Sequence, residues 1–264
     1  MENKRYKLSF VISFILLISS IILYGVKLRF GLENSFNYVI YGFVFLMLGI
    51  LAYQSFKEES YPPAFEIKKN NANAYSAFLA GIGFLIDFIS NGISVYFTLT
   101  SKRIIPAEVA TKAAALVFAL LSSLYFMTVF LTYKYNSYDF RKLKYLHLAP
   151  LLWALSGAAL TVLNAVAFRE DMFSAIKGLT LIFATLFFFS FIQETESKGS
   201  AKKALVFFVG AFSYLCLLLV AVKFFDLRYR NAVLLHEDSA FAVTSLLLFT
   251  FAHYFRNNIL SPRI

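Results

Sequence analysis

The chain has 264 residues, of which 59% are hydrophobic and only 15% charged, with a net charge of +10. A soluble domain averages about 45–50% apolar and about 25% charged residues, so a single water-solvated core is excluded. The basic excess does not indicate nucleic acid, because it is scattered through short loops with no soluble domain to carry a binding face.

Phe occurs 32 times and Tyr 16 times. The apolar residues gather in runs of roughly 16–24 residues divided by short charged segments, the length that crosses about 30 Å of hydrocarbon as a helix. Lipid offers the backbone no hydrogen-bond partner, so spans are helices or a closed barrel. The runs are continuously apolar rather than alternating, which selects helices. The expected fold is an all-α polytopic transmembrane bundle. It forms one integral membrane domain over residues 1–264, with eight spans, short loops and both termini cytoplasmic.

The charged segment Met1 to Lys7 leads directly into the first apolar run. That run is as long as a true span, and no small-x-small cleavage pattern precedes Lys27 and Arg29, so it reads as a retained helix rather than a signal peptide. The spans fall at Leu8–Val26, Phe36–Phe56, Ala74–Thr98, Glu108–Tyr133, Tyr145–Phe168, Met172–Ile192, Lys203–Val222 and Ser239–Phe255. The second and sixth have the shortest charge-free cores. Tyr61-Pro62-Pro63 breaks the chain after the second span. Pro106 followed by Glu108 opens the fourth with a first-turn proline and an early acid, and Pro150 lies near the start of the fifth. Tyr residues between Tyr133 and Tyr145, with Lys and Arg among them, form an expected interfacial belt.

With the N-terminus inside, the cytoplasmic segments carry fifteen of the 25 basic residues, which favours that orientation under the positive-inside rule. Phe130, Tyr133 and Asn136 at the end of the fourth span echo Phe251, Tyr254 and Asn257 at the end of the eighth. A four-plus-four repeat is one source of that echo; the aromatic and basic residues common to cytoplasmic span ends are the other.

Asp87 is the most informative position, near the middle of the third span. An acid at the bilayer centre costs about 2.5–3.5 kcal/mol and therefore faces a polar cavity or a partner. Asn91 and Ser94 follow at four and seven residues and share its helix face, giving a polar stripe that runs from mid-membrane toward the outer surface. One reading is a ligand or ion-coupling site; the other is an interhelical hydrogen bond that holds the bundle together. Lys112, on the next antiparallel helix, either reaches down toward Asn91 and Asp87 or snorkels to the headgroups; Lys177 has the same two options. Asn164, a turn from the end of the fifth span, extends the stripe or pairs locally. Ala77 with Gly81 and Gly83, Ala113 to Ala115 with Ala119, and Ser156 to Ala159 mark close helix contacts, with spans three to five as the core.

Catalytic signals are absent from the sequence. His147, His236 and His253 are scattered, so no paired-histidine metal site is expected. Cys216 stands alone in an apolar run, which excludes an internal disulfide and a CxxC site. His253 and Asn257 match the HxxxN element of the prenyl-processing intramembrane proteases. That family's glutamate-pair motif and FxxxH partner do not accompany it. Neither a phosphate-cradling Gly loop nor a GxSxG elbow occurs. An enzyme is not expected, and neither is a cofactor or a metal.

Lys27-Leu28-Arg29-Phe30-Gly31 after the first helix, the central acid of the third span, and Ala149-Pro150-Leu151-Leu152-Trp153-Ala154 opening the fifth carry a resemblance. In these features the chain resembles an uncharacterised family of multi-span membrane proteins from low-GC Gram-positive bacteria. The resemblance implies a bacterial plasma-membrane location and carries no functional residues across. Two functions remain: a small-solute transporter or membrane binding component, with Asp87 and Asn91 lining the path, or a non-transporting sensor or accessory subunit acting through a partner protein. A homo-oligomer is compatible with either. A water-accessible Asp87 favours the first, and an Asp87 sealed between packed helices favours the second.

Overall fold

The computed structural model describes residues 2–32, 35–57, 69–101, 105–136, 139–143, 145–167, 172–197, 202–230 and 240–250. Residues 2–10, 141, 164–167, 172–173, 195–197, 202, 226–230 and 240–241 are described as backbone only. Eight α-helices account for nearly all of it: α1 (Glu2–Phe30), α2 (Phe36–Lys57), α3 (Asn71–Thr100), α4 (Pro106–Tyr135), α5 (Leu148–Ala167), α6 (Met172–Ser197), α7 (Lys202–Arg230) and α8 (Ala240–Thr250). A single 3-10 turn, Phe140–Lys142, precedes α5, and no strand occurs among the described residues.

Local chemistry explains the ends. Asn70 caps α3, its side-chain oxygen accepting from the Ala72 and Asn73 amides, two of the donors a helix start leaves open. Pro106 occupies the first turn of α4, with Glu108 close behind. Asn136 ends α4 in the left-handed conformation at φ 53°, and Gly31 does the same after α1 at φ 61°, as helix C-termini favour.

Among the described residues six helices are long and apolar enough to cross a membrane: α1, α2, α3, α4, α6 and α7. The second and sixth expected spans are among them, although their charge-free cores are short, because a helix continues through charged residues at its ends. Instead α5 and α8 are the shorter ones among the described residues. The chain is a multi-pass helical membrane protein. Residues 251–264 lie outside the described residues, and with them the aromatic echo at Phe251, Tyr254 and Asn257.

Helices α3 to α8 pack in chain order, and α8 returns to α3, so six helices close into a ring. The α1–α2 hairpin sits outside it, with both helices against α7. Aromatic rings from every member fill the centre. Phe84 of α3 stacks on Phe126 of α4 at 5.4 Å and meets Trp153 of α5 edge-on at 4.8 Å. Phe126 reaches Phe188 of α6 at 6.5 Å and Phe249 of α8 at 4.9 Å. Phe187 of α6 stacks on Phe212 of α7 at 6.0 Å. All of these side chains are buried. Lipid tails are as apolar as the protein, so close packing and ring geometry, not water exclusion, hold such a layer together.

Small residues set the closest approaches. Ser123 of α4 donates to the Gly81 carbonyl of α3 at 2.9 Å. The small patch of α5 serves a different neighbour than α4: Gly157 lies under Leu181 of α6, and Thr161 lies over Gly178 of that helix. The expected Tyr belt is split. Tyr135 and Tyr145 are exposed, but Tyr133 is buried against Phe140.

A Cβ at position 81 would stand 3.0 Å from the Met127 methyl and 3.4 Å from the Ser123 carbonyl oxygen. Gly81→Leu is therefore expected to destabilise the bundle by about 1–3 kcal/mol through overpacking. Gly42, with nothing within 4 Å of its Cβ position, should accept Ala with no loss, because Ala gains up to about 1 kcal/mol of helix propensity. Unfolding of the two variants in detergent measures the contrast.

Candidate functional site

Asp87 lies a turn beyond Phe84 on α3, beside the aromatic layer, and is 2% exposed. Its Oδ2 accepts two hydrogen bonds, from Trp153 Nε1 at 2.7 Å and from Asn91 Nδ2 at 2.9 Å. Asn91 also donates to the Asp87 carbonyl at 3.0 Å. The first bond joins α3 to α5, the two helices that flank α4. The second is local, at the i, i+4 spacing that places both side chains on one face. An indole N–H can only donate, so Trp153 requires an acceptor in this apolar layer and Asp87 supplies it.

The polar stripe continues toward the far end of α3. Ser94 is buried, and its carbonyl accepts the Thr98 hydroxyl at 2.8 Å. Thr98 Oγ1 in turn accepts from Lys112 at 3.0 Å. Lys112 is 3% exposed and pairs with Glu108, one turn earlier on α4, at 2.8 Å. It is enclosed by the protein and held by Glu108 and by Thr98 toward the start of α4. The reason is local: an acid four residues before a lysine on one helix face provides a short ion pair.

The Asn164 side chain lies outside those described, and Lys177 is half-buried on α6. His236 and His253 lie outside the described residues. His147 is buried just before α5, with Nε2 2.8 Å from the Phe140 carbonyl oxygen, a bond that ties the connecting turn to the helix. Among the described residues no group of His, Cys, Asp and Glu is placed to hold a metal.

Sequence reasoning missed three members of the cluster. Trp153, the one Trp of the chain, was legible as a donor needing a partner, but its pairing with Asp87 spans 66 positions. Glu108 was readable as the partner of Lys112 from i, i+4 spacing. Thr98 carried no distinguishing signal.

Replacing Trp153 by Phe keeps the ring and deletes the donor. Trp153→Phe and Asp87→Ala are each expected to destabilise, and the double variant to lose less than the sum. A coupling of about 1 kcal/mol is expected, within the range of hydrogen bonds between membrane helices. A double-mutant cycle of unfolding in detergent measures it; strict additivity would remove the interhelical role.

Comparison with family models, with curated proteins and with solved structures finds no match.

Proposed function

We propose that this chain is a non-transporting, non-enzymatic membrane component that acts through a partner protein, with Asp87 as an internal clamp between α3 and α5. The observation that carries this reading is the burial of Asp87 at 2% exposure with Trp153 and Asn91 donating to one carboxylate oxygen. An acid that serves water or a solute in mid-membrane must be reachable. One held by a tryptophan and an asparagine within packed helices acts as interhelical glue. With no folded extramembrane domain in loops this short, an effect on the cell passes through contact with another protein.

The same reading has eight spans, with α5 and α8 completing the ring between longer helices, and both termini in the cytoplasm. Its location is the bacterial plasma membrane, in keeping with the resemblance and the distribution of basic residues. The second reading, a small-solute transporter, draws on a specific feature: Asn91 beside Asp87 is half-buried, and at the far end of the stripe the Glu108 side chain is 25% exposed.

A thermal-stability screen of the purified protein in detergent, across pH and a solute library with Asp87→Asn alongside, separates the two. A ligand bound only by the folded state raises apparent stability by mass action. The clamp reading expects no stabilising solute and an Asp87→Asn variant close to wild type, because the Asn carbonyl still accepts from Trp153. A solute class that stabilises the wild type and loses its effect in Asp87→Asn would replace the clamp with the transporter.

A further inference from the structure

At the end of the bundle where α2 and α6 finish and α7 begins, lysines stand over an apolar floor, while Glu194 near the end of α6 is buried. The two helices run antiparallel, with Leu51 of α2 lying over Gly210 of α7. Closer to that end, Lys203 donates to the Phe56 carbonyl at 3.4 Å, satisfying one of the acceptors that a helix C-terminus leaves open. Lys57, the last residue of α2, stands 5.1 Å above the Tyr53 ring and donates to its hydroxyl at 2.9 Å. Below the lysines, Phe56 meets Phe207 of α7 at 6.0 Å, and Phe207 meets Phe183 of α6 at 6.0 Å. Phe56 and Tyr53 are exposed, at 54% and 67%.

The third helix of this group begins at the same end. The α1–α2 link is short, so α1 runs opposite to α2 and alongside α7, with Gly25 under Phe225 toward their other end. The first turns of α1 contain Lys4, Arg5 and Lys7 together with Glu2, and Lys202 opens α7. Glu58 and Glu59 follow Lys57 in sequence and lie outside the described residues. Among the described residues neither Lys57 nor Lys203 has a carboxylate partner; their acceptors are a hydroxyl and a backbone carbonyl. Lys112, by contrast, has Glu108.

We propose that this junction binds an anionic phospholipid. The Lys57 and Lys203 ammonium groups take the phosphate, and an acyl chain lies along Phe56 and Phe207. Uncompensated ammonium groups at a membrane surface are attracted to anionic headgroups. The aromatic floor beneath them, with Phe56 exposed and Phe207 half-buried, matches a lipid, which continues into an apolar tail, and gives a free phosphate nothing. Tyr53 adds a hydroxyl at headgroup level, where such rings concentrate.

Full-length protein in neutral detergent is titrated with phosphatidylglycerol, with phosphatidylcholine and with inorganic phosphate, and bound species are counted by native mass spectrometry. Phosphatidylglycerol is expected to be retained in preference, with the preference falling about fivefold for each lysine removed in Lys57→Gln and Lys203→Gln. The Lys57→Arg/Lys203→Arg variant keeps the charge and should keep the preference. Lys134→Gln should also keep it, since Lys134 forms the same lysine-on-tyrosine contact, 4.6 Å above Tyr75, at the α3–α4 end. Equal retention of the two lipids would overturn the proposal. So would a preference that survives the double Gln variant, an equal loss in Lys134→Gln, or retention of inorganic phosphate matching that of phosphatidylglycerol.

Discussion

Polar atoms within hydrocarbon have no water to turn to, and each must find its partner inside the protein. The helices answer this for the backbone, and many side chains do the same, although the buried Ser13 and Tyr125 hydroxyls have no hydrogen-bond partner among the described residues. Ser20, Ser122, Thr132, Thr161, Thr180 and Thr185 each return their hydroxyl to the carbonyl four residues earlier. Such bonds need no other helix, so they satisfy a hydroxyl without specifying which helix lies next to it. Asp87 is different. Asn91 provides one local donor, but the Trp153 donor comes from another helix, so this bond specifies a neighbour and hydrocarbon packing alone does not.

That distinction organises the ring. Phe84, Phe126, Phe188, Phe249 and the Phe187–Phe212 stack fill the centre with groups that have no directional need. Trp153 belongs to both systems: its ring meets Phe84 in a T-shaped contact and its N–H is held by Asp87. The indole thereby fixes the rotation of α5 relative to α3, with α4 between them. Toward the Thr98 end the directional bonds continue as Thr98, Lys112 and Glu108. The ring is thus polar on the α3–α4 side beyond its aromatic layer. Outside it, α7 carries the α1–α2 hairpin through close contacts at Gly25 and Gly210, and this peripheral group holds at one end Lys57 and Lys203, which have no carboxylate partner among the described residues.

Span positions were legible because hydrocarbon thickness acts on each segment separately: a run such as Phe36 to Phe56 states its own length without reference to the rest of the chain. The structure gives α2 as Phe36–Lys57. Helix starts at Asn70 and Pro106 were set by residues within one turn of them. The stripe of Asp87, Asn91 and Ser94 was readable for the same reason, since helical spacing alone puts those residues on one face. Glu108, also local, was read only as a helix-start signal, although its i, i+4 spacing makes it the ion-pair partner of Lys112.

Local periodicity and apolar length, acting over a few turns, were sufficient to determine a helical membrane protein with an acid in the third helix. They could not determine that α8 closes against α3, that the small patch of α5 faces α6, or that Trp153 meets Asp87. In lipid every helix face is apolar enough to be buried or exposed, so composition does not rank one neighbour above another. Only the tertiary packing of rings into gaps and the pairing of distant polar atoms made that choice. It left Asp87 enclosed, and it brought Lys57 and Lys203 to the same edge of the membrane domain.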